Sequence, residues 1–170
     1  MKDKISVRLY RDGDGEAVNI LFNQVFQKDR VLDHWRWKYL SSPVTPSSII
    51  SVAETGGKIV GAYPYMTTRF KIAGSEALVV QAADICILPE YRRGWTLMRL
   101  LSLCHQQIRK SSVAIGFGFP NESANEINAR LPGLDELCRI SILRKRLNIT
   151  EVFRAKNMLR EHSHIVSKFA

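Results

Sequence analysis

The segment Pro89-Glu90-Tyr91-Arg92-Arg93-Gly94-Trp95-Thr96 lies between an apolar run with strand character and an amphipathic run with helix character. A strand that turns this way into a helix leaves several backbone N–H groups without partners, at the positive end of a helix dipole. Arg92 and Arg93 add two fixed charges beside them. Such a turn can hold a phosphate or a pyrophosphate. A solvated basic turn is the competing reading. The turn is not a Walker loop, because no Gly-Lys-Ser/Thr follows, and it lacks the three glycines of the dinucleotide fingerprint. Two other chemistries are rejected. Asp12-Gly13-Asp14 resembles the start of a calcium loop, but Ala17 replaces the required glycine and Asn23 the required glutamate. Cys86, Cys104 and Cys138 are far apart and odd in number, and no Cys/His cluster exists to hold zinc. They read as reduced, small core residues, and no metal is expected.

The elements that position this turn alternate between strand and helix. Residues 5–10 alternate apolar and polar, at strand period. Asp14 is placed to cap a helix whose one face carries Val18, Leu21, Phe22 and Val25. Residues 31–40 form a second helix with Leu32, Trp35 and Tyr39 on one face, ended by Ser41-Ser42-Pro43. Its two tryptophans read as core or pocket lining rather than as a base-stacking platform. A meander follows, with strands over 49–54 and 59–63 joined at Thr55-Gly56-Gly57-Lys58. A longer pair covers 66–72 and 77–88, and Pro64 predicts a bulge or an edge near the middle of the sheet. After the basic turn, Leu97, Leu100, Leu101, Cys104 and Ile108 recur at helical spacing. A strand over 113–119, a helix over 121–131, a strand over 137–143 and a helix over 150–166 complete the chain.

Length and composition bound the answer. A chain of 170 residues that is 45% hydrophobic fits one domain with its own core. The composition excludes a disordered chain, a collagen-like repeat and a disulfide scaffold. No apolar run is long enough for a membrane helix. The first residues lack the apolar stretch of a secretory signal, so the reading is cytoplasmic. The formal net charge is +9, with Arg144, Lys145, Arg146, Arg154, Lys156 and Arg160 crowded near the C-terminus. Such an excess suits an acidic partner: nucleic acid, an anionic membrane or a phosphorylated cofactor. No nucleic-acid recognition motif accompanies the charges, so an exposed charged helix is the preferred reading of that stretch.

The run Ala83-Asp84-Ile85-Cys86-Ile87-Leu88-Pro89-Glu90-Tyr91-Arg92, with Arg99-Leu100-Leu101 in the helix behind it, resembles the GNAT superfamily of N-acetyltransferases. His34-Trp35-Arg36-Trp37-Lys38-Tyr39 and Gly118-Phe119-Pro120-Asn121 with Ser123 resemble a bacterial subgroup of these enzymes. The resemblance covers about residues 5–143, leaving 144–170 as a C-terminal extension of a single 1–170 acyltransferase domain. It implies an α/β (α+β) fold: a mixed, mostly antiparallel sheet flanked by helices and splayed between its fourth and fifth strands. Acetyl-CoA would lie in that gap. Its pantetheine arm would pair with Ile85, Cys86, Ile87 and Leu88, and its pyrophosphate would sit on Arg92, Arg93, Gly94, Trp95, Thr96 and Leu97, with Asn121 nearby. The amine would attack the thioester directly, through proximity and polarisation of the carbonyl by backbone N–H groups.

Two departures from the family pattern stand out. In the ungapped register the family's glycine positions hold Trp95 and Leu97, and the indole would crowd a diphosphate. The family's usual tyrosine acid falls at Asn128, and an amide cannot donate a proton as a phenol does. The candidate base is Asp84, whose pKa burial would have to raise, or else Asp84 accepts a structural hydrogen bond or salt bridge. Glu54 is the second candidate base, and His105 reads as solvated. His34, Trp35, Tyr63 and Tyr65 are placed to shape the pocket of a small-molecule amine acceptor, with packing or capping as the alternative for His34. The donor alternatives are another acyl-CoA, a longer acyl chain or an acyl-carrier protein, which is acidic and needs no grip on an adenine diphosphate. A non-catalytic CoA-binding protein of the same fold is the further alternative. The protein is expected as a monomer or homodimer.

Overall fold

The computed structural model describes residues 4–44, 46–92, 95–129, 131 and 134–141. The chain divides into two compact units, Met1–Glu122 and Ser123–Ala170. The first begins with strand β1 (Ser6–Leu9) and helices α1 (Gly15–Phe26) and α2 (Leu32–Leu40). Strands β2 (Ser48–Thr55), β3 (Lys58–Ile72), β4 (Ser75–Ala82) and β5 (Cys86–Ile87) follow, then helix α3 (Thr96–Arg109) and strand β6 (Val113–Gly118). The sheet order is β1-β2-β3-β4-β6, with β5 also paired to β3. All pairs are antiparallel except the parallel β4–β6 pair. This is the mixed, mostly antiparallel sheet flanked by helices that the resemblance implies.

Local chemistry sets the turns. Gly56 and Gly57 both take positive φ, 54° and 74°, which a tight two-residue hairpin between β2 and β3 demands. Asp14 occupies the cap position of α1, but its side chain makes no cap bond there, contrary to the sequence expectation. Its carboxylate instead accepts two bonds from the Arg8 guanidinium, at 2.7 and 3.0 Å, and one from the Arg11 N–H at 2.8 Å. The Arg8 bond holds its pKa below the ordinary carboxylate range, against the opposing effect of burial.

β3 runs unbroken through Pro64, where the sequence predicts a bulge or an edge. The register of β2 with β3 does shift, but at Ala53/Glu54 rather than at Pro64. The reason proline is tolerated lies on the other edge of β3. The Pro64 carbonyl accepts the Ala83 N–H at 3.2 Å, between the end of β4 and the start of β5. A strand residue turns its N–H and C=O to the same side. The donor that proline lacks would therefore point into an interruption of the ladder, where little is lost.

Helices pack on both faces of the sheet around β3. α3 packs on β1, β2 and β3, and α1 packs on β3, β5 and α2. The predicted stripe of α3 is buried at Leu100, Leu101 and Cys104. Ser51 Oγ donates to the Leu100 carbonyl at 2.9 Å, and Cys104 Sγ lies 3.3 Å from Ser51 Oγ. Burial pushes the Cys104 thiol up to about 11, so it stays protonated. On the other face Val18, Leu21, Trp35 and Tyr39 are buried, as their spacing predicts. Cys86 is buried too, whereas Cys138 is exposed and is not the core residue expected.

Helix α4 (Glu122–Asn128) begins at the unit boundary, within the predicted helix. In the second unit, Glu136 accepts bonds from Asn125 and Arg139. The predicted strand over 137–143 is not formed across its described part: residues 137–141 pair with no strand, and Leu137 and Ile140 are exposed. The helix expected over 150–166 lies outside the described residues. Among the described residues no helix is long and apolar enough to cross a membrane.

Leu100, on the sheet-facing side of α3, is fully buried. Leu100→Ala should lower unfolding stability by about 2–5 kcal/mol, read as a lower urea midpoint at unchanged slope. A loss below about 1 kcal/mol would mean that α3 is not packed as described.

Candidate functional site

The site is built around an interruption in one strand. The single strand expected over 77–88 is two strands, β4 and β5, separated by Ala83, Asp84 and Ile85. β6 follows β4 as far as the pair Ala82↔Gly118, whereas β5 pairs with β3 through Gly61↔Ile87 and Ala62↔Cys86. The sheet therefore opens beyond Ala82, at the place expected between the family's fourth strand (here β4 with β5) and its fifth (here β6). Leu88 N–H bonds the Val60 carbonyl at 2.9 Å. By the alternation of an antiparallel ladder, Cys86 and Leu88 turn their backbone toward β3, and Ile87 turns its backbone away, into the opening. Of the four residues expected to pair with a pantetheine arm, Ile87 turns its backbone to the opening, and Ile85 lies in the interruption before β5. Cys86 and Leu88 face β3 and bury their side chains. Burial pushes the Cys86 thiol up to about 12, so it is no nucleophile at neutral pH.

The turn below the opening carries the cations. Pro89–Tyr91 form a 3-10 turn, and Arg92 Nε donates to the Ile87 carbonyl at 2.9 Å. That bond anchors an exposed arginine on the free edge of β5. Arg93 and Gly94 lie outside the described residues. Trp95 holds the cap position of α3 without a side-chain cap bond, and the first helical bond runs from Arg99 N–H to the Trp95 carbonyl. The N–H groups of Thr96, Leu97 and Met98 thus have no acceptor within the helix. The Trp95 indole is 76% exposed.

Asp84 stands in the interruption with φ of 53°, in the left-handed region. One oxygen, Oδ2, accepts three bonds: Arg30 Nη1 at 2.6 Å, Lys38 Nζ at 2.9 Å and the Tyr39 hydroxyl at 2.8 Å. Burial alone would raise its pKa, but the bonds from Lys38, Tyr39 and Arg30 outweigh it, and the carboxyl lies below its ordinary value. A base at this position needs the opposite shift. The geometry matches the salt-bridge reading of Asp84, and Tyr39 is held neutral by burial and by the adjacent carboxylate.

The other expected residues scatter. Trp35 is core, packed between Tyr10 and Tyr39 at 5.5 Å ring separations, with a buried Nε1–H that has no partner among the described residues. Its neighbour His34 is exposed and lies against Trp37. Tyr63 and Tyr65 are both buried on the α3 face, and the Tyr65 hydroxyl lies 3.3 Å from His105 Nε2. His105 is therefore not the solvated residue expected, and burial, aided by Arg109, lowers its pKa. Glu54 pairs with Arg8 at 2.8 Å, opposite Ile59 in the ladder, well along β3 from the interruption. Asn121 is exposed just before α4. Asn128 ends α4 in the second unit, where its carbonyl accepts the Leu131 N–H. Sequence reasoning missed Arg30 and Lys38. A signal existed in Asn19 and Asn23, two poor helix formers one turn apart in α1, and both bond Arg30.

Comparison with known proteins follows the same geometry. The model of the acetyltransferase (GNAT) domain family matches residues 6–128, most of the chain and all six strands. No curated protein matches the chain. Among solved structures, the fold is similar to the aminoglycoside N-acetyltransferase AAC(6')-Iy in complex with a CoA-containing bisubstrate analogue. The TM-score is 0.66 at 16% identity, over 84% of this chain and 99% of that one. It is similar to glucosamine-6-phosphate N-acetyltransferase from Arabidopsis thaliana, with a TM-score of 0.64 at 11% identity, over 86% and 100% of the two chains. An aminoglycoside acetyltransferase from an uncultured soil metagenomic sample, solved with sisomicin, gives 0.61 at 14% identity, over 85% and 96%. At such identities the solved structures establish the fold, and the family match establishes the kind of protein. The chain belongs to the GNAT family of acetyltransferases and is an acyltransferase.

Proposed function

We propose that this acyltransferase moves an acetyl group from acetyl-CoA to a primary amine of a small molecule, by direct attack of the amine. The observation that supports it most is the opened edge of β5, where Ile87 turns its backbone away from β3 beside an uncapped helix start. Three groups fit a coenzyme there. The outward N–H of Ile87 is placed to pair with an amide arm and to polarise a carbonyl. The N–H groups of Thr96, Leu97 and Met98 form an anion cradle. Arg92 brings a cation to the same edge, held there by its bond to Ile87. Bound acetyl-CoA supplies an acyl carbon already activated as a thioester. The chain's own contribution is to fix that carbon beside the acceptor and to favour developing negative charge on its oxygen.

Proton transfer then falls to solvent rather than to Asp84, which two cations and a phenol already engage. The acceptor must arrive as the neutral amine. A second reading concerns the donor. Trp95 stands where the family places a glycine, which favours a donor gripped less by its diphosphate, such as an acyl-carrier protein. The formal net charge of +9 suits that acidic partner.

Native mass spectrometry with a panel of acyl-CoAs and an acyl-carrier protein should detect a one-to-one complex with acetyl-CoA. Binding of the carrier protein alone would replace the first reading by the second, and no complex with any donor would refute both. Arg92→Glu should weaken acetyl-CoA binding by about tenfold or more, since it reverses a charge at the anion cradle. An unchanged affinity would remove the cradle. With a turned-over amine, log kcat/KM should rise by about one unit per pH unit until the amine's own pKa, with no carboxylate inflection. Asp84→Asn should leave the shape of that profile unchanged. An inflection that disappears in Asp84→Asn would make Asp84 the base.

A further inference from the structure

The donor seam exists because the strand is interrupted at Asp84, and that interruption needs a cause. Aspartate accepts the left-handed region more readily than most residues but still at a cost, so a φ of 53° persists only where the surroundings hold it. We propose that Arg30 is a positioning residue. It fixes the left-handed turn at Asp84 and thereby sets the outward presentation of the β5 edge at Ile87. The inference rests on the reading of that edge as the donor seam.

Arg30 is itself held from several directions. Its Nε donates to Asn19 Oδ1 at 2.8 Å, and its guanidinium carbon lies 3.6 Å from the centre of the Phe22 ring. Its backbone N–H donates to Asn23 Oδ1 at 2.9 Å, and its carbonyl accepts from Asn19 Nδ2 and Asn23 Nδ2 at 2.8 and 2.9 Å. All three contact residues lie on α1. The arginine is thus a strut fixed at its base to one helix, with its tip, Nη1, on Asp84 Oδ2 at 2.6 Å. Its side chain is 7% exposed, whereas that of Lys38, which holds the same oxygen, is 22% exposed and carries a flexible stem. Lys38 and Tyr39 supply further attraction, but the planar, buried guanidinium supplies direction. Arg30 acts through Asp84 and has no contact with the outward amide.

The test compares Arg30→Met with Arg8→Met. Arg8 also bridges two part-buried groups, Asp14 and Glu54, but from β1, three strands away from β5. Two readouts are used. The first is amide hydrogen exchange in the free protein at Ala83 and Leu88, whose N–H groups bond Pro64 and Val60, against Tyr10, whose N–H bonds Ile50. The second is the acetyl-CoA dissociation constant. Arg30→Met should speed exchange at Ala83 and Leu88 by about tenfold beyond any change at Tyr10, and weaken acetyl-CoA by about tenfold. Arg8→Met should leave both local exchange and affinity within about twofold of the wild type. Equal effects of the two variants, on either readout, would overturn the proposal.

A rescue separates backbone positioning from loss of a buried ion pair. Asp84→Gly in the Arg30→Met background removes the carboxylate that has lost its buried arginine and takes positive φ without strain. Asp84→Ala in the same background removes the charge but keeps the strain. The glycine double variant should recover protection at Ala83 and Leu88, and the alanine one should not. Equal recovery by both would leave only an ion-pair role and would overturn the proposal. Should Arg30→Met fail to fold, Asn19→Ala, which loosens the strut at its base, gives the same comparison in weaker form. If the wild type binds no acetyl-CoA, the donor reading fails, and the exchange measurements still decide whether the strut holds the turn.

Discussion

A β-strand cannot spend the same backbone groups twice. Amides that close a ladder are lost to any ligand, and amides left open in a buried sheet must find another partner. The interruption at residues 83–85 resolves this conflict in the present fold. β4 completes its pairing with β6 on one side and β3 on the other, then stops at Ala82. β5 resumes the ladder with β3 and leaves its other edge to the opening. Pro64 belongs to the same arrangement, since it withholds a donor where the ladder has no use for one. The 3-10 turn, Arg92 and the uncapped start of α3 follow within a few residues. Backbone hydrogen bonding, an anchored cation and a helix dipole are thereby brought to one edge.

The two faces of the sheet divide the remaining work. Under α3 the polar groups satisfy one another: Ser51 with Leu100 and Cys104, and Tyr65 with His105. These bonds hold a helix whose N-terminus must sit at the opening. On the α1–α2 face the polar groups converge on Asp84. Two cations meet one carboxylate there, so the carboxylate is committed to structure and stays ionised well into acid.

Much of the fold was legible in the sequence because it rests on periodicity. The stripe on α3, the Trp35–Tyr39 face and the Gly56-Gly57 hairpin all follow from local rules that their surroundings do not contradict. The turn into α3 was legible through its flanks, Pro89-Glu90-Tyr91-Arg92 and Arg99-Leu100-Leu101. What sequence could not give was the partner of each charge. Asp84 and Arg30 are 54 positions apart, and only the packing of α1 on β3 and β5 brings them together. The same limit hid the packing of Tyr63 and Tyr65, which are buried on the α3 face. Asp14 shows it in small: a residue type fit to cap a helix was taken by Arg8 on the neighbouring strand.

The central claim is that the outward backbone of β5 and the first turn of α3 form one binding edge. The most direct measurement is a titration of nitrogen-15-labelled protein with acetyl-CoA, followed by amide resonances. The account predicts that Ile87, Thr96, Leu97 and Met98 shift together with a single affinity, while Cys86 and Leu88, already bonded toward β3, move far less. Saturable binding that leaves Ile87 unshifted and perturbs another surface would contradict it.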